Sequence, residues 1–200
     1  MPSTFEGAPQ PELHQFDDGH YGIVYPNITR FTAGEVVAMY ADGGISKSGK
    51  APYGAWAYCL VDKDGNHVLE ESGLIDPAEH AMSYVECNAA EFYAFLKGLE
   101  ALPDGWSGTV YTDSQNTLNR FFCGWSTAGI PPAWLKRSAA VMKRLGTMER
   151  VLLAGHPTKA QLEVGYKIKD NGARYPVSIH NKWCDEACNK ILIPIRENQT

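Results

Sequence analysis

The chain has 200 residues, of which 44% are hydrophobic and 20% are charged, a composition typical of one large globular domain or of one domain with additions. Its apolar runs fall short of the roughly 18 to 20 residues that span a bilayer, and its first residues lack the basic and apolar segments of a secretory signal, so we expect a cytoplasmic protein without membrane association. The net charge of −5 argues against a nucleic-acid partner unless bound cations neutralise several of the acids.

The first predicted elements are an extension and three strands. Residues 1–34 are rich in proline and glycine, have no helical period, and predict an N-terminal extension to a catalytic domain at 35–200. Strand-like segments follow at 35–42, 54–62 and 67–75, and the Asp-Gly pair between the last two indicates a hairpin. Because short turns join these strands, we expect an antiparallel meander.

A helix is predicted next, at 86–102, because its apolar residues recur at helical spacing. These residues are Phe92, Phe95, Leu96, Leu99 and Leu102. The remaining predicted elements are a strand at 108–113, helices at 114–122 and 132–145, a strand at 149–155, an inserted loop at about 157–180 and a helix at 181–193.

The order of these elements predicts the fold class. Each of the two later strands is reached through a helix, which favours parallel additions with right-handed crossovers. The sequence therefore predicts an α/β fold with a mixed five-stranded sheet, three strands antiparallel and two parallel, and helices on both faces.

Acidic residues lie where buried strands emerge. Asp42 ends the first predicted strand and Asp113 the fourth, so parallel neighbours would bring both carboxylates to one end of the sheet. Glu91 borders the apolar stripe of the first helix, and Asp185 in the last helix is a fourth candidate. Clustered carboxylates repel one another unless cations neutralise them, and hard oxygen ligands suit Mg²⁺ or Mn²⁺. Two such ions about 4 Å apart promote phosphoryl displacement by water.

Five motifs in order make the chain resemble the type 1 ribonuclease H family, which has the ribonuclease H-like fold. They are YADGG at 40–44, NAAE at 88–91, YTDSQ at 111–115, AGHP at 154–157 and NKWCDEA at 181–187. The similarity covers about residues 35–193. One such motif is weak, but five in the family's order on matching predicted elements are specific.

The resemblance implies a metal-dependent endoribonuclease that hydrolyses the RNA strand of RNA–DNA hybrids by a two-metal-ion mechanism and leaves 5′-phosphate and 3′-hydroxyl ends. It implies two Mg²⁺ ions, with Mn²⁺ as an alternative, and a loop histidine that moves protons or assists product release. The implied metal ligands are Asp42, Glu91, Asp113 and Asp185, and the implied histidine is His156. The implied substrate contacts are Gly43, Asn88, Ser114, Gln115 and Asn181. Asn88 and Gln115 would help to recognise the 2′-hydroxyls that distinguish RNA from DNA. The expected partner is the hybrid alone, bound by a monomer without an obligate protein partner.

The chain departs from the family pattern in its basic surfaces and before its helix acid. Cys87 stands where the family often has an asparagine that contacts ribose, and residues 121–132 are too short and too neutral for the family's basic protrusion. The inserted segment instead contains Lys159, Lys167, Lys169 and Arg174. We expect this segment to replace part of the missing clamp. Lys136, Arg137, Lys143 and Arg144, on the helix before it, either grip phosphates or form a solvated face.

Alternatives remain open at this stage. The fold also carries DNA nucleases and junction resolvases, and a non-catalytic nucleic-acid-binding module is a further alternative. Each acid alone has an ordinary explanation as a turn, a cap or a solvated helix residue. His180 competes with His156 because it is nearer in sequence to Asp185. His180, Cys184 and Cys188 have a spacing that zinc sites use, but small core residues explain the cysteines better.

Overall fold

The computed structural model describes residues 12–15, 21–24 and 34–198, so most of the expected extension at 1–34 lies outside the described residues. The strands are β1 (Glu12–Gln15), β2 (Tyr21–Val24), β3 (Ala38–Ile45), β4 (Gly54–Val61), β5 (His67–Ile75), β6 (Gly108–Thr112), β7 (Met148–Leu152), β8 (Tyr166–Ile168) and β9 (Arg174–Pro176). The helices are α1 (Cys87–Ala101), α2 (Gln115–Phe122), α3 (Pro132–Arg144), α4 (Lys159–Val164) and α5 (Ile179–Glu197), with a 3₁₀ turn at Pro77–His80. Within these ranges no helix is long and apolar enough to cross a membrane.

The central sheet has five strands in the order β5-β4-β3-β6-β7. β3, β4 and β5 pair antiparallel, whereas β6 and β7 add to β3 in parallel. The predicted mixed sheet is therefore confirmed. One boundary was wrong: β3 does not end at Asp42 but continues to Ile45, paired throughout with β4. The two glycines after Asp42 suggested a turn, yet they lie inside the strand.

Helices cover both faces of the sheet, as predicted. The stripe of α1 is buried in one hydrophobic core, to which α2 and α3 contribute Leu118 and Trp134. α5 covers the opposite face and buries Cys184, Cys188 and Leu192 against alternate residues of β3 and β4. The two cores fix α1 and α5 on opposite sides of β3, which is the arrangement that positions the acidic residues.

The basic residues of α3 that could have gripped phosphate include two that serve the fold. Arg137 forms a bidentate ion pair with Glu100, at 2.7 and 2.6 Å. Arg144 donates hydrogen bonds to the carbonyl oxygens of Leu99 and Leu102, at the end of α1. Both carbonyls lie at the C-terminal end of α1, where intrahelical donors run out, so the guanidinium caps this helix.

The inserted segment is structured, so its prediction as a loop was wrong. It contains α4, whose first turn is closed by a capping box between Thr158 and Gln161, and the hairpin of β8 and β9. The hairpin is tied to the end of the preceding strand, because Ala154 N–H donates to the Pro176 carbonyl oxygen at 2.9 Å. Strands of three residues are too short to give a detectable alternation of apolar and polar residues.

Candidate active site

Three carboxylates meet at one end of the central strands. Asp42, Glu91 and Asp113 each offer an oxygen within 4.8 Å of the other two. The pairing of β3 with β6 ends at Tyr40 and Tyr111, and Asp42 and Asp113 each follow two residues later. Because the two strands are parallel, both acids emerge at the same end of the sheet, where Glu91 of α1 joins them.

Gly43 lets α1 approach β3 closely enough to deliver Glu91. A Cβ atom at this position would lie 2.3 to 2.4 Å from backbone atoms of Ala90 and Glu91, far inside van der Waals contact. The next glycine faces the other side, where a Cβ at Gly44 would lie 3.1 Å from Leu192 of α5. The expected role of Gly43 was substrate contact, which stays a prediction; the structure shows a packing role.

Gly155 brings a second backbone segment against the cluster. A Cβ there would lie 2.3 Å from Oδ2 of Asp113, so only glycine fits between this carboxylate and the loop after β7. His156 follows with a φ of 49°, in the left-handed region that non-glycine residues seldom adopt. The Gly-His pair therefore fits a loop that turns sharply beside Asp113.

Burial and mutual repulsion perturb the three acids. Burial is the larger cause and the charge of Asp113 the next in raising the pKa of Asp42 well above its usual value. The pKa of Glu91 is raised in the same way by burial and then by Asp42. Burial also raises the pKa of Asp113, although His156 and Lys169 oppose this shift. The site therefore favours bound positive charge.

The donor atoms fit a hard divalent cation. Within the described part of the chain, Oε2 of Glu91 and Oδ1 of Asp113 are buried and have no hydrogen-bond partner. Buried carboxylate oxygens are costly unless a donor or a cation satisfies them. Closely spaced carboxylate oxygens without nitrogen or sulfur ligands are the set that Mg²⁺ and Mn²⁺ prefer.

Asp185 lies beside the cluster but outside the group of three. Its charge raises the pKa of both Asp42 and Asp113, and its Oδ1 accepts a hydrogen bond from Nδ2 of Asn189 at 3.1 Å. Its Oδ2 lies 3.6 Å from Nδ1 of His156, whose side chain is 79% exposed. From α5, the fourth acid thus acts on Asp42 and Asp113 through its charge.

The structure separates the two candidate histidines. His156 faces Asp185, whereas Nδ1 of His180 lies 2.7 Å from Nε2 of His67. His180 belongs to another group of side chains, on the α5 face, together with Cys59. His156 is therefore the histidine that adjoins the acids.

The other predicted substrate contacts differ in their exposure and in their hydrogen bonds. Asn88 and Gln115 are exposed in the first turns of α1 and α2, and Oδ1 of Asn88 accepts a hydrogen bond from Asn116 at 2.9 Å. Ser114 caps α2 by accepting from Thr117 N–H at 3.3 Å, so its hydroxyl has a structural role. Asn181 is 3% exposed.

Asn181 borders a hollow beside the acids. With Asp185, His156, Pro157 and Lys182 it lines a space of about 190 Å³. Its Oδ1 has no partner among the described residues. Two residues near the acids were missed from the sequence. Asn189 was detectable, because it lies four positions after Asp185 on a predicted helix, whereas Gly155 was quoted only as part of its motif.

The comparisons with known proteins give one sequence relative and several solved structures of similar fold. No family model matches the chain. A ribonuclease H from Caldanaerobacter subterraneus subsp. tengcongensis is 27% identical over 165 residues, which cover 82% of this chain and 96% of that protein.

Solved structures share the fold at low sequence identity. Ribonuclease H1 from the archaeon Halobacterium salinarum is 19% identical, with a TM-score of 0.50 over 79% of this chain and 98% of that one. The N-terminal ribonuclease H domain of a Mycobacterium tuberculosis protein, solved as a fusion with maltose-binding protein, is 17% identical, with a TM-score of 0.52 over 82% and 99% of the two chains. The chain is thus similar in sequence to a ribonuclease H, and it shares the fold of two solved ribonuclease H structures.

Proposed function

We propose that this chain is an endoribonuclease that hydrolyses the RNA strand of RNA–DNA hybrids, with residues 35–200 as its catalytic domain. The observation that carries the proposal is the group of Asp42, Glu91 and Asp113, whose buried oxygens include two without partners, at the open end of the central strands. Carboxylates that serve only the fold are normally hydrogen-bonded wherever their oxygens are buried. The sequence relative is itself a ribonuclease H.

The proposed cofactor is Mg²⁺, as two ions for which Mn²⁺ can substitute. Asp42, Glu91 and Asp113 would hold them together with Asp185, whose charge already acts on two of the other acids. Bound there, the ions would supply an activated water and neutralise the leaving oxygen of an in-line displacement. Regular strands and helices carry or directly precede the four carboxylates, and such elements hold a fixed spacing better than loop residues would.

His156 is proposed to move a proton at the rim of the pocket. Its ring is exposed, and its Nδ1 lies 3.6 Å from Oδ2 of Asp185. The carboxylate faces one side of the ring, while Gly155 lies with the backbone of the loop against Asp113. A ring next to the acids on one side and open to solvent on the other is in position to carry a proton between them.

Substrate selection is proposed to depend on the 2′-hydroxyl. Asn88 and Gln115 project from the first turns of two helices beside the acids, where exposed amide groups can hydrogen-bond to sugar hydroxyls in the minor groove. Asn181 offers a buried oxygen without a partner in the described chain, at the hollow that His156 also lines. Contacts to sugar and phosphate alone carry no base sequence, so we propose cleavage without sequence specificity.

The test is a panel of labelled substrates. The protein is incubated with RNA–DNA hybrid, RNA duplex, DNA duplex and a four-way junction, each with Mg²⁺, Mn²⁺ or EDTA. We expect cleavage of the RNA strand of the hybrid in either metal and none in EDTA. An Asp113→Asn preparation, purified in parallel, must be inactive, which excludes a contaminating nuclease.

Two outcomes would redirect the proposal. Preferential cleavage of DNA duplex or junction would identify a DNA nuclease or a resolvase on the same fold. Inertness toward all four substrates, with binding retained, would identify a non-catalytic module. The ends are tested separately: the products should be joined by a ligase that requires 5′-phosphate and 3′-hydroxyl termini without prior treatment with kinase or phosphatase.

A further inference from the structure

A second group of side chains with ligand character lies on the α5 face of the sheet. Cys59, His67 and His180 each offer one ligand atom within 4.8 Å of the other two. They come from β4, β5 and the first turn of α5, three elements that are adjacent only in the folded chain. The proposed hydrolysis uses none of these residues.

A β-bulge in β5 creates this group. Cys59 pairs with Glu70 and Val61 pairs with His67, because the register shifts between Leu60 and Val61. Residues three apart in a regular strand point to opposite faces, so His67 and Glu70 would normally be separated by the sheet. The bulge places both on the face that α5 covers.

The carboxylate of Glu70 orients the ring of His67. Oε1 of Glu70 lies 2.5 Å from Nδ1 of His67, on the opposite side of the ring from Nε2, which faces Nδ1 of His180 at 2.7 Å. A histidine whose second nitrogen donates to a carboxylate has the arrangement that metal-ligating histidines adopt. Glu70 thereby leaves the lone pair of Nε2 directed at His180.

The distances require only small changes to accept a tetrahedral ion. Two imidazole nitrogens bound at zinc's usual bond length lie about 3.3 Å apart, and a thiolate and an imidazole about 3.6 Å apart. The two nitrogens, now 2.7 Å apart, would separate slightly. Sγ of Cys59, now within 4.8 Å of both nitrogens, would move closer to them.

The other buried cysteines on this face have different roles. Sγ of Cys188 donates to the Asp42 carbonyl oxygen at 3.4 Å, and Sγ of Cys184 to the Tyr40 carbonyl oxygen at 3.7 Å. The helical spacing of His180, Cys184 and Cys188 is therefore not the pattern that matters. The sulfur in the group comes from β4, which no local motif could indicate.

We propose that Cys59, His67 and His180 bind Zn²⁺, or a divalent ion of similar softness, as three protein ligands with water in the fourth position. Thiolate and imidazole ligands select such ions over Mg²⁺. Binding releases the thiol proton of Cys59, while the proton between the two rings moves from Nδ1 to Nε2 of His180, which stays neutral. The bound ion joins β4 and β5 to the start of α5, the helix that carries Asn181 and Asp185, and so fixes that helix against the sheet.

The experiment titrates Co²⁺ into metal-free protein in the presence of excess Mg²⁺, which occupies the carboxylates. We expect one equivalent of Co²⁺ to give tetrahedral d–d bands and a thiolate-to-cobalt charge-transfer band, both removed by one equivalent of Zn²⁺. Cys59→Ser should lose the charge-transfer band. His67→Gln, at a partly exposed strand position, should keep that band but bind Co²⁺ at least tenfold more weakly.

Two matched variants locate the site. Cys123→Ser removes an exposed thiol, and Asp113→Asn alters the carboxylate cluster; both should titrate as the parent does. Absence of a charge-transfer band in folded parent protein would overturn the proposal, and so would an unchanged band in Cys59→Ser or a lost band in Cys123→Ser. Circular dichroism checks that each variant is folded. If Cys59→Ser does not fold, the weaker Co²⁺ binding expected of His67→Gln still tests the proposal.

Discussion

Single residues at this site act through geometry that their type alone does not reveal. Gly43 is the example: the sequence indicates a family motif, and the structure shows a contact between strand and helix in which a Cβ would lie 2.3 Å from the backbone of Ala90. A methyl group here must displace α1, and with it Glu91. The spacing of the acids therefore depends on a residue that carries no charge.

Gly43→Ala should lower both stability and activity. Overpacking of a close contact costs about 1–3 kcal/mol in the free energy of unfolding, and the displaced helix would draw Glu91 away from Asp42. Urea unfolding measures the first effect and hybrid cleavage the second. Gly34→Ala is the matched control, because a Cβ at Gly34 meets nothing within 4 Å. A Gly43→Ala variant as stable as this control would contradict the packing role.

Asp113→Asn should separate stability from activity. The substitution removes a charge that raises the pKa of both Asp42 and Glu91, so repulsion within the metal-free cluster falls. We expect cleavage to fall below detection while the thermal midpoint in EDTA rises. Asp64→Asn, in the exposed turn between β4 and β5, should change neither quantity. Near-normal turnover by Asp113→Asn would remove this residue from the proposed machinery.

Asp42 and Asp113 could be predicted from the sequence because each follows a strand-like run, and Glu91 because it borders an apolar stripe. Asp185 was indicated by the order of the family motifs. The unpartnered oxygens of Glu91 and Asp113 could not be predicted, since hydrogen-bond satisfaction depends on every neighbouring atom. Gly155 illustrates the same limit: its contact with Asp113 joins β6 to the loop after β7, two segments that only the completed sheet brings together.

At the level of elements, the hairpin of β8 and β9 is the part of the chain that differs most from its prediction. It was expected to be a basic loop that replaces a missing clamp. In the structure, Lys167 donates to the Gly155 carbonyl oxygen at 3.1 Å, and Nζ of Lys169 lies 4.0 Å from the ring centroid of Tyr175. The charge of Lys169 lowers the pKa of Asp113. Lys167 thus stabilises the loop, whereas Lys169 adds positive charge near the acids.

Lys169→Gln should weaken hybrid binding without preventing folding. Each phosphate neutralised by a lysine contributes about 0.7 to 0.9 to the slope of log K against log salt, so the loss of one contact should reduce the slope by that amount. Binding is measured with the inactive Asp113→Asn background at several salt concentrations. Lys63→Gln, at the turn between β4 and β5, is the matched control. An unchanged slope would exclude Lys169 from the substrate interface.

The regular elements were predictable because their periods are long enough to detect, whereas the boundaries and the insertion were not. β3 continues through two glycines that typically mark a turn, since its pairing with β4 compensates for their low strand propensity. The bulge in β5 was equally hidden, because one extra residue changes the register without changing the alternation that precedes it.

Across the whole molecule, two ligand groups of different chemistry lie at different places on one sheet. The oxygen ligands lie at the open end of β3 and β6, and the sulfur and nitrogen ligands lie on the face under α5. α5 connects them, because His180 and Asp185 are little more than one turn apart on the same helix. A metal ion on the α5 face would therefore act on the fourth acid through the position of one helix.

The pH dependence of the stability of the whole protein should reveal the raised pKa of the three clustered acids. Burial and mutual repulsion raise the pKa of Asp42, Glu91 and Asp113 in the folded state, so the folded chain holds protons that the unfolded chain has already released. Where the folded state binds more protons, stability falls as pH rises. The loss begins above the ordinary carboxylate pKa of about 4 and continues through the raised values.

In EDTA, we therefore expect the thermal midpoint of the parent protein to fall between pH 5 and pH 8 more steeply than that of Asp113→Asn. The comparison of the two proteins isolates the effect of the Asp113 charge on the pH dependence. Mg²⁺ should restore the midpoint at pH 8, where the carboxylates are ionised and bind it, and have a smaller effect at pH 5. Parallel pH curves for the two proteins would show that the charge of Asp113 does not raise the pKa of the other acids. A Mg²⁺ effect equal at both pH values would place cation binding away from them.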